Sequence, residues 1–338
     1  MNTCPVEFHK QLAACQKPLY AFDETGDFFA QRERATEKLK ELLGMDTFTK
    51  CDPDTTITED VVNDGIRRIH FMVQTEAGYY AHCDFLLPAV IEKPLPLCVC
   101  LQGHSKGAHI SLGMPNYPGD EKSINGGDRD FAVRAVKEGF CALAIEQRAF
   151  GENGGGGENG PQCDYSAKVA ALLGRSLIGE RVWDVSRILD VVEEKFSDIA
   201  TLEGSVCVGN SGGGTATYYI ACLEDRFSAY MPSCALCSFR DSIIAMQHCI
   251  CNYVPGIGKY FEMGDLAMMI APKKLVVVSG LHDNGCFPIH GAKAAFEIVQ
   301  KCYKAAGAPD NCVQVIGEEG HRFYADAAWP VMHAMLAK

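Results

Sequence analysis

A short segment near the middle of the chain restricts its fold more than any other feature. Residues 205–208 are an apolar run typical of a buried strand, the pattern Gly-x-Ser-x-Gly follows at residues 209–213, and small residues suited to a helix come next. A strand that turns sharply into a helix at a serine needs glycine on both sides, because larger side chains would push the two elements apart. The segment therefore predicts a nucleophile elbow that holds Ser211 at the carboxyl end of a strand.

A glycine-rich loop without chemistry, or one that cradles a phosphate, is the competing interpretation of this segment. A phosphate-binding P-loop needs Gly-Lys-Ser or Gly-Lys-Thr, and neither tripeptide occurs here. The P-loop is therefore excluded at this position, and the rest of the chain decides between a nucleophile and an inert turn.

Composition narrows the class of protein. With 338 residues, 47% of them hydrophobic and 22% charged, the chain is long enough for one large α/β domain with insertions, or for two domains. The net charge of −12 argues against nucleic acid, an anionic membrane or a highly anionic substrate as the main partner. The sequence shows neither a basic leader with an apolar core nor the roughly 18 apolar residues that a membrane span needs.

Cysteine usage indicates the redox compartment. The chain has 17 cysteines, and several of them, such as Cys98, Cys100 and Cys207, lie within apolar strand segments. A thiol in such a place acts as a small hydrophobic group, and an odd number of cysteines fits a disulfide framework poorly. We therefore expect reduced thiols and a cytoplasmic location.

The order of elements predicts an α/β-hydrolase fold, a mostly parallel twisted sheet with helices on both faces. An N-terminal helical arm, residues 1–60, carries a helix over 27–43, and the hydrolase domain, residues 61–338, opens with an antiparallel hairpin over 66–75 and 79–87. Further strands are predicted over 97–101, 140–145, 227–231, 275–278 and 313–316, and helices over 128–138, 177–196, 216–223, 289–305 and 325–336. Residues 151–160 predict a flexible surface loop, and residues 233–269 an insertion that is a candidate lid or substrate wall.

An acid and a base follow Ser211 in the order that a serine nucleophile of this fold requires. Asp283 lies in a glycine-containing loop after the strand over 275–278, and His321 follows the last strand. A histidine that removes the serine proton and an acid that orients the histidine complete a catalytic triad. His282 is a competing base, and Glu318 and Glu319 are competing acids, although both glutamates lie on the loop of His321 itself.

Two backbone N–H groups are expected to form an oxyanion hole. One belongs to Gly212, directly after the nucleophile, and the other to the loop Gln102-Gly103-His104 at the end of an earlier strand, where we choose His104. Arg148 follows the next strand, where it is either a clamp for a substrate carboxylate or, as we favour, an ion-pairing residue that ties loops together.

A cysteine-rich stretch within the insertion raises the question of a metal. Cys-x₂-Cys followed by further cysteines and histidine is a pattern that zinc can use, and this stretch supplies Cys234, Cys237, His248, Cys249 and Cys251. The spacing of the second group is cramped, and cysteine is frequent throughout the chain. We therefore expect no metal and no cofactor.

Several motifs together resemble a known family. They are the elbow, the Gln-Gly-His strand end, the stretches at 148–152 and 252–256, and Asp265-Leu-Ala-Met-Met-Ile-Ala-Pro before the acid strand. From about Ile66 to the end, the chain resembles the acetyl xylan esterase-like α/β-hydrolases, which are close to the dienelactone hydrolase-like families. The resemblance implies a cofactor-free carboxylic ester hydrolase, often acting on acetyl groups, with Ser211, Asp283 and His321 as the triad. Dienelactone hydrolases use a cysteine nucleophile, whereas this elbow holds serine.

These observations lead to one main expectation and two alternatives. The main one is a serine esterase that removes acetyl or other short acyl groups from small molecules or acylated sugars, through an acyl-enzyme. A peptidase, or a lactone or thioester hydrolase, would use the same triad, and a non-catalytic binding protein of hydrolase fold is the alternative from another class. The expected partner is a small-molecule ester, without nucleic acid or membrane, and the sequence leaves a homo-oligomer open.

Overall fold

A single mixed sheet organises the molecule. The computed structural model describes residues 3–338, and these form nine strands in the spatial order β1-β2-β3-β5-β4-β6-β7-β8-β9. The strands are β1 (Thr55–Asn63), β2 (Ile66–Glu76), β3 (Tyr79–Pro88), β4 (Leu95–Leu101), β5 (Cys141–Ile145), β6 (Ala200–Asn210), β7 (Ala229–Ser233), β8 (Lys274–Gly280) and β9 (Cys312–Gly317). Strands β1 to β3 pair antiparallel with one another, and β3 with β5, whereas all the other pairings are parallel.

Helices cover both faces of this sheet. The helices of residues 3–338 are α1 (Pro5–Cys15), which buries none of its residues, α2 (Phe28–Leu43), α3 (Asp120–Gly127), α4 (Phe131–Lys137), α5 (Cys163–Leu172), α6 (Leu177–Lys195), α7 (Gly212–Leu223), α8 (Ile257–Tyr260), α9 (Ala267–Ile270), α10 (Ile289–Ala305) and α11 (Ala325–Leu336). Side chains alternate along the central strands: Val99 joins the core beneath α2, α6, α7 and α10, while Cys98 and Cys100 join the core beneath α4 and α11. The predicted fold class, an α/β-hydrolase fold with helices on both faces, is confirmed.

Helix α2 shows why several predictions from the sequence hold. The Asp27 carboxylate accepts a hydrogen bond from the Ala30 N–H at 3.1 Å, and Gly44 ends the helix in the left-handed conformation at φ +74°. These are the cap residues that a helix start and stop require. The hairpin of β2 and β3 and the helices α10 and α11 also form where the pattern predicts them.

Some elements differ from the predictions. The sequence does not predict strand β1, which spans residues 60 and 61, the predicted boundary between the N-terminal arm and the hydrolase domain. That boundary stays a prediction. Helix α3 precedes α4, and Asp128 between them takes a left-handed conformation at φ +52°, so α4 begins later than the predicted 128. Helix α5 follows the glycine-rich stretch 151–160, where Asn153 binds the backbone of β3 through its side-chain amide.

The insertion at residues 233–269 is a folded cover over the carboxyl edge of the sheet. It contains α8, most of α9 and two short 3₁₀ turns, Ile250–Asn252 and Met263–Leu266. Residues 263–271 are buried against α2, α7 and α10. Whether the remainder acts as a lid stays a prediction. None of the helices formed by residues 3–338 combines the length and apolar character needed to cross a bilayer.

Candidate active site

Ser211 occupies the junction between β6 and α7 in a strained backbone conformation, with φ +57° and ψ −122°. Its N–H donates a hydrogen bond to the Ser233 carbonyl at the end of the neighbouring strand, at 2.9 Å. A Cβ atom on Gly213 would overlap the carbonyl oxygen of Leu101. Glycine is therefore required where helix and sheet meet, and the serine side chain is held at the edge of the sheet.

Asp283 and His321 meet at this same edge. Asp283 follows β8, His321 follows β9, and the imidazole Nδ1 lies 2.7 Å from the carboxylate Oδ2. The carboxylate is 2% exposed, and the imidazole stacks on Phe287 with ring centroids 6.3 Å apart. The competing acid Glu319 instead pairs with Arg322 at the surface. One imidazole nitrogen is thus engaged by a buried carboxylate, which leaves Nε2 for a second partner.

Ser233 links the elbow to the histidine loop. Its carbonyl accepts the Ser211 N–H, and its hydroxyl donates to the carbonyl of Arg322, the residue after His321, at 3.2 Å. The strand register also places Asn210, Ser233 and Val278 side by side. Within residues 3–338, no hydrogen bond joins the Ser211 hydroxyl to the His321 imidazole. Such bonds are often long without substrate.

The loop after β4 packs directly against the elbow. A Cβ atom on Gly103 would lie 2.6 Å from the Asn210 carbonyl oxygen and 3.0 Å from the Ser211 Cβ, and a Cβ on Gly212 would lie 2.6 Å from the His104 ring. The N–H groups of His104 and Gly212 donate to no backbone carbonyl of residues 3–338. Two backbone donors are therefore available beside the serine.

Glu146 anchors this loop, although no sequence motif predicted a role for it. Its carboxyl Oε2 accepts the Ala108 N–H at 2.8 Å, while Oε1 is buried without a hydrogen-bond partner in the described chain. Burial raises the pKa of Glu146 to about 7, and the neighbouring carboxylates of Glu152 and Asp84 add to this effect. A glutamate directly after an apolar strand is the only sequence signal that points to it.

Arg148 ties loops together, as favoured from the sequence. Its guanidinium donates to both carboxylate oxygens of Asp184 at 2.8 Å and to Glu76 at 2.8 Å, and it stacks on the Tyr79 ring at 4.0 Å. Burial alone would lower the pKa of this guanidinium, but the opposing carboxylates outweigh burial and raise it. A side chain so fully engaged has little capacity left for a substrate carboxylate.

Two hollows flank the site. One is an apolar pocket of about 10 Å³, bounded by α7 residues from Thr215 onward, by Phe239 and Ile243 of the cover, and by Phe287 from the loop after β8. The other is an open, polar cleft of about 360 Å³ beside His104.

Arg129 lines the polar cleft without a counter-ion. None of the carboxylates of residues 3–338 lies within ion-pairing distance of it, and its Nε is buried without an acceptor among those residues. Burial lowers the pKa of this guanidinium, but an arginine starts from so high a pKa that it stays cationic. Arg129 was not predicted as a site residue, and no motif around it would have signalled a role.

The cysteines and histidine considered as a zinc group do not come together. The Cys234 thiol lies beside Asp283 and His321, Cys237 binds the Pro288 carbonyl, and His248 lies against the Ser242 hydroxyl. Burial raises the pKa of Cys234 to about 12, so this thiol stays neutral and is no rival to Ser211 as the nucleophile. Cys249 and Cys251 instead pack with His104 and with a fourth residue, Cys163.

The strand order and the serine elbow define an α/β-hydrolase. The chain belongs to the Abhydrolase family, whose sequence model matches residues 7–330. In Bacillus subtilis (strain 168), the protein named "Putative hydrolase YtaP" is 26% identical over 248 residues, which cover 70% of this chain and 76% of the relative.

Solved structures share the fold. A "putative acetyl xylan esterase" of Bacteroides fragilis NCTC 9343 matches with a TM-score of 0.78 and 18% identity, over 94% of this chain and 83% of that one. The acetyl xylan esterase of Paenibacillus sp. R4 matches with a TM-score of 0.59 and 18% identity, over 96% of this chain and 98% of that one. Together with the family match over residues 7–330, these shared folds confirm the resemblance to an α/β-hydrolase family.

Proposed function

We propose that this protein is a serine esterase that hydrolyses acetyl and other short acyl esters of small molecules or sugars. The observation that carries the proposal is the His321–Asp283 pair, joined at 2.7 Å at the sheet edge where Ser211 is held in its strained turn. A strained serine, a buried acid–histidine pair or a free backbone donor can each occur alone in a protein without catalysis. Together they provide every group that acyl transfer needs.

The proposed reaction proceeds through an acyl-enzyme. The Ser211 hydroxyl oxygen attacks the ester carbonyl while His321 takes its proton, and the buried Asp283 stabilises the resulting imidazolium. The N–H groups of His104 and Gly212 bind the negatively charged oxygen of the tetrahedral intermediate. The imidazolium then protonates the departing alcohol, and His321 becomes neutral again. In the second half, a water molecule gives a proton to His321 and attacks the acyl carbon. The bond between the Ser211 oxygen and the acyl carbon then breaks, the imidazolium returns its proton to that oxygen, and the acid is released.

The apolar pocket supports a short acyl group. Its volume of about 10 Å³ is close to the space of one water molecule, so a methyl group fits with little adjustment. A longer chain must displace Phe239 or Phe287, and such overpacking costs about 1–3 kcal/mol. We therefore expect kcat/KM to fall about 10- to 100-fold from an acetyl to a hexanoyl ester of the same alcohol.

The polar cleft supports a hydroxyl-rich alcohol. Its volume of about 360 Å³ suits a monosaccharide, and the unpaired Arg129 favours an alcohol that carries oxygen acceptors. The Paenibacillus protein is named an acetyl xylan esterase, which agrees with an acylated sugar here. We keep the cytoplasmic location within the proposal, since thiols such as Cys98 and Cys207 persist in a reducing compartment.

The experiment compares the wild type with Ser211→Ala. Wild-type protein should hydrolyse p-nitrophenyl acetate and bind a fluorophosphonate covalently, whereas Ser211→Ala should lose both properties with an unchanged circular dichroism spectrum. Ser228→Ala is the matched control, since Ser228 lies at the far end of β7 beside Ser205, and it should behave as the wild type. A folded wild type that is unlabelled and inactive on esters would favour the binding-protein alternative. Preference for lactones, thioesters or peptides in the same panel would replace the ester assignment.

A further inference from the structure

Four side chains that can bind a metal meet behind the loop after β4. The imidazole of His104 and the thiols of Cys163, Cys249 and Cys251 each offer one donor atom, and all four atoms lie within 4.8 Å of one another. They come from the loop after β4, the start of α5 and the cover. The proposed hydrolysis uses none of these side chains, because only the backbone N–H of His104 takes part in it.

The spacing of the donor atoms is close to that around a tetrahedral cation. His104 Nε2 lies 3.1 Å from the Cys251 sulfur, and the sulfurs of Cys249 and Cys251 are 3.4 Å apart. Zinc binds sulfur at about 2.3 Å and nitrogen at about 2.0 Å, which separates the ligands of a tetrahedron by about 3.3–3.8 Å. The sulfur–sulfur separation lies within this range and the nitrogen–sulfur separation lies slightly below it, so a small outward shift of the His104 ring would accommodate a cation among ligands of the types that zinc prefers.

A buried cation beside the cluster is a second, independent observation. The Arg181 side chain is almost fully buried, and its guanidinium donates to the Arg148 carbonyl at 2.9 Å and to the Cys163 sulfur at 3.6 Å. Its Nε and Nη1 atoms have no acceptor among residues 3–338, and it forms no ion pair with a carboxylate of that part of the chain. A buried guanidinium is costly without an anion nearby.

Charge balance identifies that anion. Three neutral thiols would leave the Arg181 charge facing the Phe150 ring, 4.3 Å from the guanidinium carbon, with no anion beside it. Three thiolates with one divalent cation and a neutral imidazole carry a net charge of −1, which the single guanidinium neutralises. A divalent cation bound by these thiolates thus accounts for the clustering of Cys163, Cys249 and Cys251. It also accounts for the burial of Arg181 beside them.

We propose that His104, Cys163, Cys249 and Cys251 form a closed, tetrahedral binding site for zinc or a similar divalent cation. Each of the three thiols releases one proton on binding, and His104 donates the lone pair of Nε2. With four protein ligands the site has no open position, so the ion is structural. It joins the loop that carries the His104 N–H to α5 and to the cover.

The first test is on the purified wild type, without an affinity tag that binds metal. Elemental analysis should find one zinc per chain. After removal by a chelator, added Co²⁺ should give intense near-ultraviolet thiolate-to-cobalt charge-transfer bands and strong visible bands of tetrahedral cobalt. Metal removal should also lower Tm. A wild type that binds neither ion, or a disulfide among these three cysteines in freshly purified protein under reducing conditions, would overturn the proposal.

Variants locate the ion. Cys163→Ser and Cys249→Ser should each weaken Zn²⁺ binding at least 10-fold in competition with a chromophoric chelator. Cys51→Ser is the matched control, because Cys51 is half-buried beside Gln74, away from the cluster, and it should bind as the wild type does. Two results would refute the assignment: full-affinity binding by folded Cys163→Ser, or a cobalt spectrum with the charge-transfer intensity of one thiolate. Either result would place the ion elsewhere, such as at Cys234, Asp283 and His321. These readouts do not depend on ester hydrolysis, so the two proposals can fail separately.

Discussion

Replacing Glu146 with glutamine should make the stability of this protein less dependent on pH. Burial, together with the nearby carboxylates of Glu152 and Asp84, raises the pKa of Glu146 from 4.5 to about 7. In the unfolded chain the carboxyl titrates near its ordinary value, so between these two values the folded state holds a proton that the unfolded state has lost. Stability contributed by this group is therefore present at low pH and is lost as the pH rises toward 7.

The size of the loss follows from the shift. A difference of about 2.5 pKa units corresponds to about 3 kcal/mol, of which between about 2 and 3 kcal/mol develops from pH 5 to pH 8. Glu146→Gln has the shape of the protonated carboxyl, and its amide oxygen can still accept the Ala108 N–H. Because glutamine does not ionise, the variant avoids this loss. It should gain stability over the wild type as the pH rises.

Urea unfolding at several pH values measures this difference. The free energy of unfolding of Glu146→Gln, minus that of the wild type, should increase by between about 2 and 3 kcal/mol from pH 5 to pH 8. Glu92→Gln removes a charge from an exposed loop and should change the free energy by less than about 0.5 kcal/mol throughout. A difference for Glu146→Gln that stays constant over this range would refute the reasoning, since the carboxyl would then ionise as easily when folded as when unfolded.

Three further substitutions test other parts of the structure. Asp283→Asn should lower kcat on p-nitrophenyl acetate about 10²- to 10⁴-fold with an unchanged Tm, because an amide stabilises the imidazolium poorly; activity near wild type would argue against the acid assignment. Arg148→Met should cost about 3–5 kcal/mol in urea unfolding, since it leaves Asp184 buried without its cation, and unchanged stability would contradict the ion-pair argument. Gly213→Ala should disrupt the elbow because its Cβ would overlap the Leu101 carbonyl, and we expect fluorophosphonate labelling to fall at least 10-fold; normal labelling would contradict this.

The parts of the fold that the sequence predicts are those with strong local signals. Helix α2 carries its own caps, and α10 and α11 have apolar stripes long enough to set their ends. Strand β1 lacks such a signal, because it lies at the edge of the sheet with Ile57 and Val62 exposed. An edge strand without a buried face shows no apolar alternation, so only its pairing with β2 reveals it.

The residues of the candidate site also differ in whether the sequence predicts them. Ser211, Asp283 and His321 could be selected from the sequence because this fold fixes both their order and their positions after strands. Glu146 and Arg129 could not, since their environments come from backbone and side chains that are distant along the chain. The cysteine pattern even suggested the wrong partners, because proximity in the sequence grouped Cys249 and Cys251 with Cys234 rather than with Cys163.

The loop after β4 shows how buried polar groups support a site without touching the substrate. On one side, Gly103 packs on the elbow; on another, Glu146 holds the Ala108 N–H; on a third, the His104 ring lies against the Cys251 sulfur. An oxyanion donor is effective only when it is already in place before charge develops, because reorientation at that moment costs free energy. A loop of small and polar residues cannot achieve this by apolar packing alone. Costly features, a buried carboxyl and a buried arginine beside a thiol cluster, are therefore concentrated around the one loop whose position the proposed reaction depends on.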